Sequence, residues 1–268
     1  MPLAICATPI GNLEDVTLRV LRELAAADLV LCEDTRRTRI LLDRHEVPAR
    51  LLSYHEHNEA ARTAEVLPKL VAGARIALVT DAGLPGISDP GARLIAAAIE
   101  AAVPVTVLPG ASAVETALVA SGFEATRYQF LGYLPRREAA LRALWDELRD
   151  WPWPAVAFES PRRLPGTLRS LAGVQPGRPV AVCRELTKQF EEVVRGTASA
   201  VAARFLEPPK GEITLVLGPE EGRGVEHEGQ AVAAVAELVA AGVSRRQAAD
   251  LVARLTGTRP NTLYRGSL

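Results

Sequence analysis

The sequence predicts an α/β protein made of two successive α/β units and a helical C-terminal extension. Three observations predict it. Through the first 111 residues, short apolar runs alternate with amphipathic helical stretches, the pattern of a largely parallel sheet covered by helices. From Ser112 the strand pattern becomes more mixed and the tryptophans appear: Trp145, Trp151 and Trp153. Past residue 218, a stretch rich in Gly and Glu leads into helical periodicity.

Residues 3–7 read as a buried strand, after which Asp15 is placed to cap a helix whose Leu18, Leu21, Leu24 and Ala25 share a face. A strand over 29–32, a helix over 35–42, a strand over 51–54 and a helix over 59–71, stopped before Gly73, follow. Ile76, Ala77, Leu78 and Val79 make 75–80 the best buried strand; a helix over 91–102 and a strand over 104–108 complete the first unit, 1–111. The second unit, 112–218, carries strand patterns at 128–131, 155–158, 179–184, 190–195 and 212–217. Its helical patterns fall at 136–149, 163–171 and 199–205, with some antiparallel pairing expected. Residues 218–229 read as a linker, 231–241 and 244–255 as helices, and a third short helix is expected toward Tyr264.

Composition narrows the function classes. The chain has 268 residues, 48% hydrophobic and 24% charged, enough apolar side chains for a real core and too few charges for wholesale disorder. The net charge of −1 neither demands nor excludes a nucleic-acid partner. Lysine occurs only at Lys69, Lys188 and Lys210, so the arginine excess reflects base composition more than RNA binding. Cys6, Cys32 and Cys183 are far apart, which argues against a disulfide framework and a zinc ribbon. Residues 1–5 lack the basic start of a signal peptide, and the apolar stretch 95–108 is interrupted by Glu100 and Pro104. A cytoplasmic protein with no membrane contact is expected.

Five segments fall at predicted strand ends, where open parallel sheets bind ligands. They are Thr8-Pro9-Ile10-Gly11-Asn12; Glu33-Asp34-Thr35-Arg36; Tyr54-His55-Glu56-His57-Asn58; Asp81 through Gly91; and Pro109-Gly110-Ala111-Ser112-Ala113. Gly11 suits a tight turn and close ligand approach. Glu33 and Asp34 can hold a substrate or accept a proton, although Asp34 is equally suited to cap the next helix. Arg36, Arg37 and Arg39 suit phosphates, or a solvated helix face. His55 and His57 lack the partner set a metal needs, so no metal is expected. A polar substrate loop fits better: Tyr54 stacking on a base, His55 and Asn58 hydrogen-bonding it. The segment from Asp81 to Gly91 packs three glycines, two prolines and two aspartates into eleven residues, a density a plain connection does not require. Its backbone groups, and the amides at the helix start near Ser112, can hold a small ligand. A G-x-G-x-x-G after the first strand and a G-x-x-x-x-G-K-[ST] are both missing, which disfavours a dinucleotide dehydrogenase and a nucleoside triphosphatase.

In order, Ala7-Thr8-Pro9-Ile10-Gly11-Asn12-Leu13, Glu33-Asp34-Thr35-Arg36, Tyr54-His55-Glu56-His57-Asn58 and Ser88-Asp89-Pro90-Gly91 resemble the bacterial 16S ribosomal RNA cytidine 2′-O-methyltransferases. These are tetrapyrrole-methylase-like (class III) methyltransferases. Glu159-Ser160-Pro161-Arg162-Arg163, Arg184-Glu185-Leu186-Thr187-Lys188, Lys210-Gly211-Glu212 and Leu263-Tyr264-Arg265 extend the resemblance nearly end to end, with Arg162 departing from an expected His. The resemblance implies two α/β domains with S-adenosylmethionine in the cleft between them, a homodimer, and 16S rRNA or the small ribosomal subunit as partner. It implies cofactor contacts at Pro9, Asp81, Ala82, Gly83, Ile87, Ser112 and Ala113, and from the second domain Phe158 and Leu186. The activity implied is methyl transfer to the ribose 2′-hydroxyl of a cytidine in the decoding region.

Such a hydroxyl needs a positioned base. Glu33, Asp34, His55, Asp81 and Asp89 are candidates, with Glu33, His55 and Asp89 carried forward as catalytic. Asn12, Asp34, Arg36, Tyr54, Asn58 and Ser88 are expected on the substrate side. Between Ser244 and Leu268, five arginines (Arg245, Arg246, Arg254, Arg259, Arg265) face one acid, Asp250. Arg245 and Arg246 are therefore expected at RNA phosphates, against the alternative that the tail stabilises a dimer. Two other functions stay open: a precorrin-type tetrapyrrole methyltransferase of the same fold, and a non-catalytic ribosome-assembly protein that binds RNA.

Overall fold

A computed structural model describes residues 2–219, 223–256 and 258–268. The first sheet comprises β1 (Leu3–Cys6), β2 (Leu29–Cys32), β3 (Leu51–Ser53), β4 (Ile76–Leu78) and β5 (Val105–Leu108), in the order β3-β2-β4-β1-β5. All four pairings are parallel, with registers such as Ala4 opposite Ala77 and Ile5 opposite Val107. Its strands are apolar on both faces because helices cover both: Leu3, Ile5 and Leu78 face one core, Ala4, Cys6 and Val79 the other.

The helices of this half are α1 (Leu18–Ala26), α2 (Thr35–Arg44), α3 (Glu59–Val71) and α4 (Ala92–Glu100). Thr17, and not Asp15, caps α1: its hydroxyl accepts the Val20 N–H at 3.1 Å. Asp15 instead ends a 3-10 turn, Leu13–Asp15, opened by the side chain of Asn12 accepting Glu14 N–H. Asp34 caps α2 by accepting Arg36 N–H at 2.8 Å.

After α5 (Ala113–Ser121) comes a second sheet: β6 (Gln129–Tyr133), β7 (Ala155–Glu159), β8 (Pro179–Arg184), β9 (Glu192–Thr197) and β10 (Ile213–Leu217), ordered β6-β7-β10-β8-β9. Only β6 and β7 are parallel; the other three pairings are antiparallel. One face packs on α6 (Glu138–Leu148), α7 (Leu164–Val174) and α8 (Ala198–Arg204) around the buried Trp145, whose indole N–H reaches Ser170 Oγ at 3.2 Å. The other face packs on α5, and that cluster takes in Ile10, Ala82 and Ala111 from the first half together with Leu186. The two halves thus share apolar contacts, which fixes one against the other.

The C-terminal helices are α9 (Arg223–Ala240), α10 (Arg245–Thr256) and α11 (Pro260–Gly266). They pack on their own core of Ala231, Val235, Ala248, Val252 and Leu263. The expected linker over 218–229 is overextended, since helix begins at Arg223; its residues 220–222 lie outside the described residues, as does residue 257. Gly229, the far end of that expected linker, lies within the helix. Among the described residues no helix is long and apolar enough to cross a membrane.

Candidate active site

The carboxyl ends of β1 and β4 lie side by side, and their loops are stitched together. Thr8 and Gly83 form an isolated antiparallel bridge: Thr8 N–H donates to Gly83 O at 2.8 Å and Gly83 N–H to Thr8 O at 3.0 Å. The Thr8 hydroxyl adds a bond to Thr80 O at 3.0 Å. The Gly83 amide is therefore committed within the protein, while the loop holds a left-handed turn at Gly83 (φ +79°) and another at Ser88 (φ 61°).

This loop forms one wall of a cleft of about 490 Å³ between the two halves, within the usual range for small-molecule sites. Ile10, Ala82, Gly83, Leu84, Ile87, Ser112 and Ala113 line it from the first half and the start of α5. Tyr133, Phe158, Leu186, Gly211 and Glu212 line it from the second sheet and its loops. Glu33, Arg37, Asp81 and Asp89 supply the charged part of the lining. The cleft thus combines apolar, backbone-rich surface with a cluster of carboxylates, a lining suited to a ligand that carries both an apolar ring and polar or cationic groups.

The acidic part is electrostatically coupled. Burial pushes Glu33 upward, and the Asp81 charge adds to it; an Asp81 backbone N–H, Arg37 and His55 oppose. Burial likewise raises Asp81, against a hydrogen bond from Asp34 N–H (3.1 Å) and the Arg37 guanidinium, which lies 3.3 Å from Asp81 Oδ2. Asp89 is pushed up to about 6 by burial and then by the charges of Glu33 and Asp81. The value at Asp89 suits a group that takes up a proton near neutrality, and Glu33 and Asp81 shift in the same direction. Cys183 also lines the cleft, but burial drives its thiol up to about 12, so it is no nucleophile.

Ten of the residues singled out in the sequence come together here: Glu33, Asp81, Ala82, Gly83, Ile87, Asp89, Ser112, Ala113, Phe158 and Leu186. Others serve elsewhere. Tyr54 is buried, and its hydroxyl contacts Glu59 Oε1 at 3.1 Å and Thr63 Oγ1 at 3.0 Å, so it cannot stack on an RNA base. Asn58 is spent internally: its Oδ1 accepts His55 N–H at 2.9 Å and its Nδ2 donates to Ser53 O at 3.3 Å and meets His55 Nε2 at 3.1 Å. That arrangement orients His55, which is not among the residues lining the cleft. Asp34 holds Arg36 through a 2.6 Å ion pair, and this pairing keeps the Asp34 carboxyl far below the usual range. Neither belongs to the cleft lining, and Arg37 is the arginine that enters it. Pro9 is buried and is not among the cleft-lining residues, and Ser88 is exposed beside Gly132. Asn12 N–H donates to Thr187 Oγ1 at 3.0 Å, an inter-half contact. Arg245 and Arg246 begin α10, outside the cleft lining, and Arg245 reaches Ser267 Oγ at 3.4 Å.

Tyr133 and Glu212 were not anticipated as lining residues, and of the three arginines suited to phosphates Arg37, not Arg36, lines the cleft. Lys210-Gly211-Glu212 contained the signal for Glu212: a Cβ on Gly211 would collide with the Glu185 side chain, so the glycine lets that loop close on the Arg184–Lys188 segment. There Lys188 Nζ joins Glu185 Oε1 at 2.8 Å to Glu212 Oε2 at 2.9 Å. The C-terminal module faces a second, larger cavity of about 1530 Å³, across which Arg254 and Arg259 stand with Arg127, Trp151 and Trp153. The Arg127 guanidinium sits 4.9 Å from the Trp153 ring centroid. Among the described residues no group of three or more His, Cys, Asp or Glu side chains is arranged to hold a metal.

Comparison with known proteins adds three findings. The family described as Tetrapyrrole (Corrin/Porphyrin) Methylases matches residues 2–202. A protein of Micromonospora olivasterospora named Ribosomal RNA small subunit methyltransferase I is 42% identical over 98% of this chain and 85% of its own length. One of the same name from Mesorhizobium japonicum is 41% identical over 98% of this chain and 90% of its own. Among solved structures, uroporphyrin-III-C-methyltransferase from Thermus thermophilus aligns with a TM-score of 0.57, covering 84% of this chain and 97% of that one. At 22% identity this is a likeness of fold.

Proposed function

Since the chain belongs to the tetrapyrrole (corrin/porphyrin) methylase family and is a methyltransferase, we propose that its donor is S-adenosylmethionine and its acceptor the RNA of the small ribosomal subunit. The observation that carries the acceptor is the 41–42% identity, across nearly the whole chain, to proteins named for that RNA. The resemblance of the loop motifs refines it to the ribose 2′-hydroxyl of a cytidine in the decoding region. Cytoplasmic location and a homodimer accompany this reading. Within it, residues 1–111 and 112–218 are the two α/β domains, and 219–268 are linker and basic helical tail.

The cleft fits the donor. Its volume is adequate, Ile87, Phe158 and Leu186 offer apolar surface to an adenine, and the backbone at Ala82, Ser112 and Ala113 offers polar contacts beside it. When bound, S-adenosylmethionine supplies a methyl group on a sulfonium, open to in-line displacement by an oxygen nucleophile. The protein must align the ribose with that methyl, and alignment removes up to roughly 7–11 kcal/mol of such barriers. It must also take the hydroxyl proton. Glu33 and Asp89 line the cleft with raised proton affinity, so either can accept it at a carboxylate oxygen; His55, held by Asn58, favours the ionised form of Glu33. Asp81, ion-paired with Arg37, completes the acidic wall.

The test is which acceptor takes up labelled methyl: small-subunit RNA lacking the modification, or a porphyrinoid. Label in RNA, mapped by mass to a ribose, supports the reading. Label only in the porphyrinoid replaces it with tetrapyrrole methylation, and failure to bind S-adenosylmethionine in calorimetry replaces it with a non-catalytic RNA-binding role.

A further inference from the structure

An irregularity in β6 decides what the mouth of the cleft presents. Gln129 pairs with Ala155 and Phe130 with Val156, but the next partners are Tyr133 and Phe158, so β6 carries one more residue than β7 across this interval. Gly132, at φ +65°, absorbs the extra residue in a left-handed conformation.

The bulge changes which side chain faces the cleft. Phe130 packs in the cluster on the cleft side of the sheet and Leu131 against the Trp145 core on the other. Strict alternation would send Tyr133 into the Trp145 core with Leu131. Instead Leu134 is buried in that core, and Tyr133 stands on the cleft side. Its ring meets Phe158 edge-on at 5.5 Å, while Phe130 supports Phe158 at 5.1 Å.

The consequence is a large aromatic side chain, 69% exposed, held by a second aromatic at the rim of the site. Its hydroxyl makes no hydrogen bond among the described residues. Glu33, Asp89 and Glu212 line the same cleft, and partial burial followed by the charges of Asp89, Glu212 and Glu33 pushes the Tyr133 phenol upward. A donor adenine calls for enclosure, since small-molecule pockets bury most of their ligand. An open ring on a supporting ring is instead the way single-stranded RNA bases are received.

We infer that Tyr133 is the stacking platform for the acceptor base, holding the nucleotide at the cleft mouth so that its ribose faces Glu33 and Asp89. This rests on the RNA reading above. Stacking needs the ring and not the hydroxyl, so Y133F and Y133A separate the roles. The measurements are kcat and KM with unmodified small subunits or 16S transcript, RNA affinity by filter binding, and S-adenosylmethionine affinity by calorimetry. Y133A should raise KM and weaken RNA binding by about tenfold to a hundredfold, the worth of one base stack. Donor affinity should be unchanged, and Y133F should stay within about twofold of wild type.

An active wild type whose Y133A variant binds and methylates RNA normally overturns this inference alone. So does a Y133A variant that loses donor affinity instead, or a Y133F variant as impaired as Y133A. A wild type that methylates no ribosomal RNA overturns the function and this inference together.

Discussion

Gly11 presses directly on Thr187: a Cβ built on Gly11 would lie 2.7 Å from Thr187 Oγ1 and 2.8 Å from the carbonyl of Leu186. The glycine therefore serves the junction between the two halves, and the neighbouring Asn12 N–H bonds the same hydroxyl at 3.0 Å. Thr187 itself is held at φ 65°, with its N–H on Glu191 Oε2 at 2.6 Å, so that loop is not free to retreat. Gly11→Ala should cost about 1–3 kcal/mol, as overpacking does, and should spread the cleft walls. Urea denaturation and calorimetric titration with S-adenosylmethionine measure the two effects; a variant as stable and as tight-binding as wild type would show that the junction yields without strain.

Glu33→Gln should lower kcat by about 10²–10⁴-fold, the usual worth of a positioned base, with donor affinity unchanged. Asp34→Asn is its control. Asp34 is committed to capping α2 and pairing Arg36, so that variant should turn over normally. Single-turnover methylation of RNA distinguishes the two, and normal turnover of Glu33→Gln would remove Glu33 from the chemistry.

Asp89 should leave a signature in both activity and stability. Acting as the ionised base, it makes kcat fall as pH drops through about 6. In stability the sign is opposite: a carboxyl raised by burial favours its protonated form in the fold, so its contribution is complete below about 4 and lost as pH rises through about 6. Asp89→Asn should consequently be more stable than wild type at pH 7, by about 1 kcal/mol once solvent screening is allowed for, and equal to it at pH 4. Thermal unfolding across that range checks the difference. Because Glu33 and Asp81 raise Asp89, the acid limb belongs to the cluster, and Glu33→Gln should shift it downward.

Period and composition made the parallel sheet legible, because β1, β2 and β4 are apolar on both faces and β4 ends at a loop dense in Gly, Pro and Asp. The same logic located the Asp81 to Gly91 loop. Tyr133 was not legible, because a bulge inverts the facing of every residue after it and only Gly132 hinted at one. Arg36 and Arg37 could not be separated either: adjacent helix positions differ by about 100° in direction, and which one enters the cleft depends on how α2 sits on the sheet. Tyr54 misled for a related reason. An aromatic at a strand end suits a ligand or a core equally, and Glu59 and Thr63, five and nine residues ahead on α3, took its hydroxyl.

That bond set gives a direct check. Tyr54→Phe removes a hydroxyl shared by Glu59 and Thr63, and Glu59 Oε1 also receives Gly91 N–H at 3.0 Å, at the end of the cleft loop. Loss of a buried hydrogen-bonding group with partners left behind should cost about 1–3 kcal/mol. KM for RNA should stay at the wild-type value at temperatures where the variant is folded. A raised KM with unaltered stability would return Tyr54 to the substrate side.

The C-terminal module poses the choice between RNA and dimer contact. Its helices have their own core, and its arginines Arg254 and Arg259 face Arg127, Trp151 and Trp153 across the larger cavity. The acids Glu124, Asp150 and Asp250 line that cavity too, so charge alone does not make it a phosphate site. Truncation after Pro219 removes no residue of either sheet or of the cleft lining, so donor affinity should be retained. If the module holds RNA, KM for RNA should rise at least about tenfold. The slope of log affinity against log salt should then flatten by about 0.7–0.9 for each phosphate the module had neutralised. Light scattering on the same protein reads the dimer separately. A truncated chain that becomes monomeric while keeping full RNA affinity would assign Arg245, Arg246 and their helix to subunit contact instead.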